Sequence, residues 1–327
     1  MSDKHLSHAD SCECAVPTES INSARRLFLA SAAILGVTGF AGGASAADKA
    51  LPSVSPLFGE LKRAEPAILA DSSFDGMDPP DSEAQRIADL VVANHILADQ
   101  EFNDMFGHVS VRSLKNPRHF FMSKSRAPEL VVPEDIMEFD ENSAPLDQRG
   151  RVMYEERFIH GEIYRVRPEI QCVIHSHTPA VLPFGLANVP LRPIIHTASF
   201  LPDEVPLFEI RDVEGENNGI LVTNQRSGAA LAGKLGAGPL VLMRGHGCTV
   251  VGTNVRLAVY HALYSKKSAE TQLAAMSLGK PLTYLNADER RNFSAKLERM
   301  GTTEGPLRGW PVWERRALAH LDELLRG

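Results

Sequence analysis

Two histidine-bearing segments constrain this chain more than anything else in it. Cys172-Val173-Ile174 is an apolar run that ends in His175-Ser176-His177, and such a run reads as a buried strand. Successive strand side chains alternate faces, so His175 and His177 project to the same side. A second apolar run, Pro239-Leu240-Val241-Leu242-Met243, leads into Arg244-Gly245-His246-Gly247, a tight turn with glycines on both sides of the histidine. Two histidines on one strand and His246 from a neighbouring strand end make the three-nitrogen set of an open, catalytic divalent-metal site. Structural zinc sites are closed by four ligands and favour cysteine, and nothing nearby supplies that. Imidazole donors suit zinc first, with manganese, iron or cobalt serviceable.

The 327 residues are 43% hydrophobic and 23% charged, which suits one large globular domain with a full core. The net charge of −7 comes without a Lys/Arg run, so nucleic acid is not an expected partner. Cys172 and Cys248 each sit beside a histidine motif on an apolar strand end and read as buried free thiols. Cys12 and Cys14 fall in a different kind of segment. There, Ala24-Arg25-Arg26-Leu27-Phe28-Leu29 resembles the twin-arginine export motif, with Ala where Ser or Thr is usual. The stretch from Leu27 to Phe40 is too short for a membrane span, which needs about 20 apolar residues. Ala44-Ser45-Ala46 offers a cleavage site. Residues 1–46 are therefore expected to be a signal peptide, 47–81 a Pro/Ser/Asp-rich linker and 82–327 the catalytic domain. The mature chain would be periplasmic or otherwise exported, without a membrane span, by a route that carries already folded proteins.

A helix is expected to start at Ser82-Glu83, followed by strands at His108–Arg112, Phe120–Met122 and near Ile136-Met137. A charged helix is expected over 152–166, ending before Pro168, and then the histidine strand at 171–176. Ile220-Leu221-Val222 reads as another strand. It is followed by an Ala/Gly helix at 225–235, a strand at 240–243, a long helix from Asn254 to about Leu278, and helices near 287–300 and 311–325. Helices and strands do not alternate strictly. The expected fold is therefore a three-layer α/β/α sandwich around a mostly antiparallel or mixed sheet.

From about 82 to 285 these motifs resemble the class II aldolase/adducin-like superfamily. The resemblance rests on His175/His177, on His246-Gly247, and on Glu156 ahead of a helix that ends in Tyr164-Arg165-Val166-Arg167-Pro168. It implies His175, His177 and His246 as metal ligands and Glu156, rather than its neighbour Glu155, as the catalytic acid or base. Sugar-phosphate members carry a Gly-Asn, a Thr-Pro-Thr-Gly turn and a Ser-Ser pair that hold phosphate. This chain has Gly107-His108, Ser123-Lys124-Ser125-Arg126 and Tyr154-Glu155 instead. A glutamate in place of a phosphate-binding serine sets like charges together, so a phosphorylated sugar is not the expected substrate. Arg126 and Arg192 are shaped for a carboxylate, and His108, Ser125, His196 and Tyr284 join them as candidate substrate contacts. The segments around Phe106–Arg112, Ala127–Leu130 and Glu156–Gly161 resemble a branch that decarboxylates hydroxylated aromatic or dienoic acids. The resemblance thus implies a divalent-metal-dependent carbon–carbon lyase acting on a small carboxylic acid. Decarboxylation is the first expectation and retro-aldol cleavage of a non-phosphorylated hydroxy-keto acid the second. A non-enzymatic adducin-like module is disfavoured, because all three histidines are retained. It further implies a homo-oligomer, a tetramer, in which an adjacent subunit completes the pocket.

Overall fold

In the computed structural model the described residues are 82–300 and 305–326, so the expected signal peptide and the linker up to Asp81 lie outside them. Helix α1 (Glu83–Asp99) starts where the sequence indicates, with the Ser82 hydroxyl accepting the Gln85 N–H at 3.1 Å, a standard way of satisfying a helix-terminal amide. Strands β1 (His108–Arg112), β2 (Phe120–Ser123) and β3 (Ile136–Phe139) follow, then α2 (Arg157–Val166) and β4 (Cys172–Ser176). After the short α3 (Leu182–Leu186) come β5 (Leu207–Phe208), α4 (Arg211–Glu214), α5 (Gln225–Leu235), β6 (Leu240–Met243) and β7 (Gly247–Gly252). The chain continues through α6 (Val255–Met276), α7 (Ala287–Arg299) and α8 (Trp310–Arg326).

The seven strands form one sheet in the order β3-β2-β1-β4-β7-β6-β5. All neighbours are antiparallel except the parallel pair β5–β6. Strand alternation sorts the core into two halves. Val109, Val111, Cys172, Ile174, Leu240, Leu242, Cys248 and Val250 pack on the side of α1, α6 and α8. Phe120, Met122, Val173, Val241, Met243 and Val251 pack on the side of α2 and α5. The result is the α/β/α sandwich expected from the sequence. Cys172 and Cys248 are both buried and free. No helix among the described residues is long and apolar enough to cross a membrane.

Three local expectations differ from the structure. Helix α2 begins at Arg157 rather than 152, because the preceding segment is tied down in extended form. The Ser125 N–H donates to the Val152 carbonyl at 2.7 Å, and the Tyr154 hydroxyl donates to the Arg126 carbonyl. Residues Ile220-Leu221-Val222 are not a strand, since the chain bends there with Ile220 at φ 65°. The residues after His246, left unassigned by the sequence, form β7, which lies directly beside β4.

Candidate metal centre

The register of the sheet brings the site together. Strand β4 lies between β1 and β7, with His175 opposite His108 on one side and Thr249 on the other. His177 stands just beyond the end of β4, and His246 sits in the three-residue turn that joins β6 to β7. That turn needs its glycines. Gly245 takes φ 65°, the left-handed conformation glycine adopts at no steric cost. A Cβ on Gly247 would stand 2.0 Å from the Ser176 carbonyl oxygen, so only glycine lets the turn approach β4 closely enough.

The three Nε2 atoms converge. His175 and His177 are 3.1 Å apart, His175 and His246 3.2 Å, and His177 and His246 3.1 Å. Their second nitrogens fix the tautomers. His177 Nδ1 faces the Asp104 carboxylate at 3.1 Å and His246 Nδ1 faces the Ile220 carbonyl at 2.9 Å, so both must carry the hydrogen on Nδ1. The Thr249 hydroxyl is spent on Met243 Sδ at 3.6 Å, which leaves its oxygen to accept from His175 Nδ1 at 3.4 Å. All three Nε2 atoms therefore present bare lone pairs to one another, and Glu156 Oε2 adds another, 3.4 Å from both His175 and His246. Buried lone pairs facing each other without a hydrogen are costly, on the order of 1–3 kcal/mol each. A shared cation removes the conflict, and donors about 2.1 Å from one centre stand roughly 3–3.4 Å apart. Among the described residues this is the one cluster with the donors and spacing for a metal ion. The residues present fit a divalent cation.

Glu156 occupies the turn that opens α2, buried at 7% exposure. Its Oε1 accepts the Val222 N–H at 3.0 Å, which aims Oε2 at the histidines. Burial raises its pKa, and positive charge gathered at His175 and His246 lowers it. Its neighbour Glu155 is exposed.

Several supporting residues were missed by the sequence reading. Asp104 lies in the irregular loop before β1, where its carboxylate also accepts the Phe106 and Gly107 amides at 3.0 Å. Ile220 takes the left-handed region, which is costly for a β-branched side chain, and thereby turns its carbonyl to His246 and the Val222 amide to Glu156. Tyr154 packs its ring 4.5 Å from His108, and the Glu156 helix contributes His160. The available signal was a buried polar stripe of strand period, His108-x-Ser110-x-Arg112, facing one of helical period, Glu156-x3-His160-x3-Tyr164.

The expected substrate contacts separate into three groups. His108 is buried against the centre, its ring 5.0 Å from that of His175. Ser125 and Arg126 are one step removed. Ser125 is exposed, and the Arg126 guanidinium donates to Asp135 at 3.0 and 3.2 Å beside Lys124. Arg126 reaches the site region only through Tyr154, which hydrogen-bonds its backbone. Arg192, His196 and Tyr284 form a separate group. Arg192 stacks on Tyr284 at 4.4 Å and donates to the Asp203 carbonyl, while His196 packs edge-on against Phe293 at 4.8 Å. Among the described residues no hydrogen bond, ion pair or ring contact joins this group to the histidine cluster.

Comparison with known proteins agrees with this geometry. Residues 88–273 match the family described as Class II Aldolase and Adducin N-terminal domain. The chain is 35% identical to the decarboxylase tropJ of Talaromyces stipitatus, over 68% of this chain and 90% of that protein. It is 29% identical to the 3,4-dihydroxyphthalate decarboxylase of Arthrobacter keyseri, over 60% of this chain and 79% of that one. In fold it resembles the L-fuculose 1-phosphate aldolase of Glaciozyma antarctica, with a TM-score of 0.61 at 21% identity, covering 75% of this chain and 96% of that one. The chain belongs to the class II aldolase and adducin family and is a lyase within it.

Proposed function

We propose that this protein is a divalent-metal-dependent decarboxylase of a hydroxylated aromatic or dienoic carboxylic acid. One observation carries the reading: three Nε2 lone pairs and one carboxylate oxygen converge at the sheet end, in a chain whose relatives include named decarboxylases. His175, His177 and His246 would hold the ion, zinc by ligand preference, with manganese, iron or cobalt as alternatives. When bound, the ion lowers the energy of the electron pair left on the substrate as its carbon–carbon bond breaks.

Glu156, as a carboxylate, takes the proton of the substrate hydroxyl. The oxyanion pushes its electrons towards the carbon that bears the carboxylate, and Glu156 delivers the proton to that carbon, leaving a ketone. The bond to the carboxylate then breaks, carbon dioxide leaves, the electron pair flows back to the oxygen, and solvent restores the hydroxyl after release. An apolar ring has suitable neighbours. Phe106, Leu186 and Leu221 are exposed on the segments that hold the cluster: the first beside Asp104, the second against Gly245, the third between Ile220 and Val222. Incubation with hydroxylated aromatic acids should release carbon dioxide. Release of an aldehyde from a hydroxy-keto acid instead would favour the aldolase reading.

The remaining expectations stand as parts of the proposal. His108, Ser125 and Arg126 would contact substrate from the cluster side. Arg192, His196 and Tyr284 would contribute from an adjacent copy in a homotetramer. The twin-arginine-like segment would export the folded protein, leaving residues 1–46 behind.

A further inference from the structure

Beneath the metal centre runs a line of buried polar groups that the proposed chemistry does not use. His108, Ser110 and Arg112 share one face of β1 at strand period, and His160 and Tyr164 face them from α2 one helical turn apart. All five are at most 5% exposed. His108 Nδ1 lies 2.8 Å from His160 Nε2, His160 Nδ1 lies 2.6 Å from Ser110 Oγ, and Ser110 Oγ lies 2.8 Å from the Tyr164 hydroxyl. Arg112 closes the far end. Its guanidinium sits 4.6 Å over the Tyr164 ring and donates to the carbonyls of Tyr164, Arg167 and Ile170.

The direction of this chain of hydrogen bonds can be worked out. Among the described residues the Tyr164 hydroxyl has one neighbour that can accept its hydrogen, Ser110 Oγ. If Ser110 instead donated to Tyr164, a buried phenolic hydrogen would be stranded, at a cost on the order of 1–3 kcal/mol. Tyr164 therefore donates to Ser110, Ser110 to His160 Nδ1, and His160 Nε2–H to His108 Nδ1. His108 is left with its hydrogen on Nε2, which has no hydrogen-bond partner among the described residues, while its ring lies against that of His175. Because His108 Nδ1 accepts from His160 Nε2–H and His160 Nδ1 accepts from Ser110, each ring carries a single hydrogen, and burial holds the Tyr164 phenol protonated. The line transmits orientation rather than charge.

We infer that His108 is a hydrogen-bond donor to the bound substrate through Nε2–H, aimed at a carboxylate or phenolic oxygen, and that His160, Ser110 and Tyr164 are positioning residues that fix this tautomer. The inference rests on the metal-centre reading for where the substrate lies. Its natural ligand class is an acid whose oxygen gains negative charge as the reaction proceeds, since a fixed neutral donor favours that charge most in the transition state.

The test uses metal-loaded full-length protein labelled with 15N-histidine, with the His108 signals assigned by their absence from His108→Phe. In wild type, His108 should show a bare Nδ1 and a hydrogen-bearing Nε2. Ser110→Ala removes the hydroxyl that donates to His160 Nδ1 and should leave metal content unchanged, mix the His108 tautomers, and lower kcat roughly three- to tenfold with a smaller change in KM. His160→Gln, which can still donate to His108, should retain more kcat than His160→Phe. A wild-type His108 carrying its hydrogen on Nδ1 overturns the inference, as does wild-type kcat in Ser110→Ala. If no hydroxylated acid is turned over, the decarboxylase reading fails on its own. The 15N comparison of wild type with Ser110→Ala then still decides for or against the relay, because it needs no substrate.

Discussion

Replacing Glu156 with glutamine is the sharpest perturbation of the proposed chemistry. The side chains are the same size, and the amide carbonyl can still accept the Val222 N–H that Oε1 takes at 3.0 Å. What changes is the other atom, which stands 3.4 Å from Nε2 of both His175 and His246. A base becomes a hydrogen-bond donor that cannot take up a proton. A positioned proton-transfer group contributes about a hundredfold to ten-thousandfold. At 7% exposure there is little room for water to substitute for Glu156. Turnover per bound metal should therefore fall at least about a hundredfold, equivalent to about 2.7 kcal/mol of barrier. Glu155→Gln, on an exposed side chain, should change turnover by no more than about twofold. The assay is the initial rate of carbon dioxide release, normalised to metal content measured on the same sample. Glu156→Gln within about threefold of wild type, or a larger loss in Glu155→Gln, would refute the assignment of the proton-transfer role.

Two further outcomes follow from groups around the centre. Asp104→Ala removes the acceptor that orients His177, so metal affinity in a chelator competition should weaken about tenfold. This is the low end of the range for such partners, because the Asp104 carboxylate is 48% exposed and water can take its place. His261 donates Nδ1–H to the Val251 carbonyl at 2.9 Å and stacks on Phe200, and burial pushes its pKa down to about 4. Its folded-state pKa lies below the unfolded value of 6.5, so its contribution is full above about pH 6.5 and is lost as the pH falls towards 4. Discounted for a ring that is only partly buried, this is on the order of 2 kcal/mol. His261→Phe should flatten the acid limb of a Tm-against-pH profile over that window, and an unchanged limb would exclude the role.

What could be read from the sequence was whatever a single period encodes. The apolar runs Leu240–Met243 and Cys172–Ile174 formed the strands expected, and the Ala/Gly helix closed at Leu235. His175 and His177 fell on one side because strand geometry leaves no alternative. Periodicity failed where tertiary contacts override it. Ile220-Leu221-Val222 has a strand's composition, yet two backbone groups in that segment are needed by His246 and Glu156, and the chain bends to supply them. Met153 and Tyr154 could continue a helix, but the Arg126 backbone and the Ser125 amide hold that segment extended. Asp104 was invisible because irregular loops carry no period. The polar line from His108 to Tyr164 was visible only by pairing a strand period with a helix period, a pairing that requires the sheet register.

The central claim is that three imidazole Nε2 atoms share one divalent ion. X-ray absorption spectroscopy on the purified protein, together with its metal content, tests this most directly. The expected result is one ion per chain in a shell of nitrogen and oxygen donors without sulfur, because Cys172 and Cys248 pack with Ile174 and Val250 on the face of the sheet opposite His175. His177→Ala should lose the ion while remaining folded. Wild-type protein without stoichiometric metal, a sulfur-containing shell, or full metal content in His177→Ala would contradict the account.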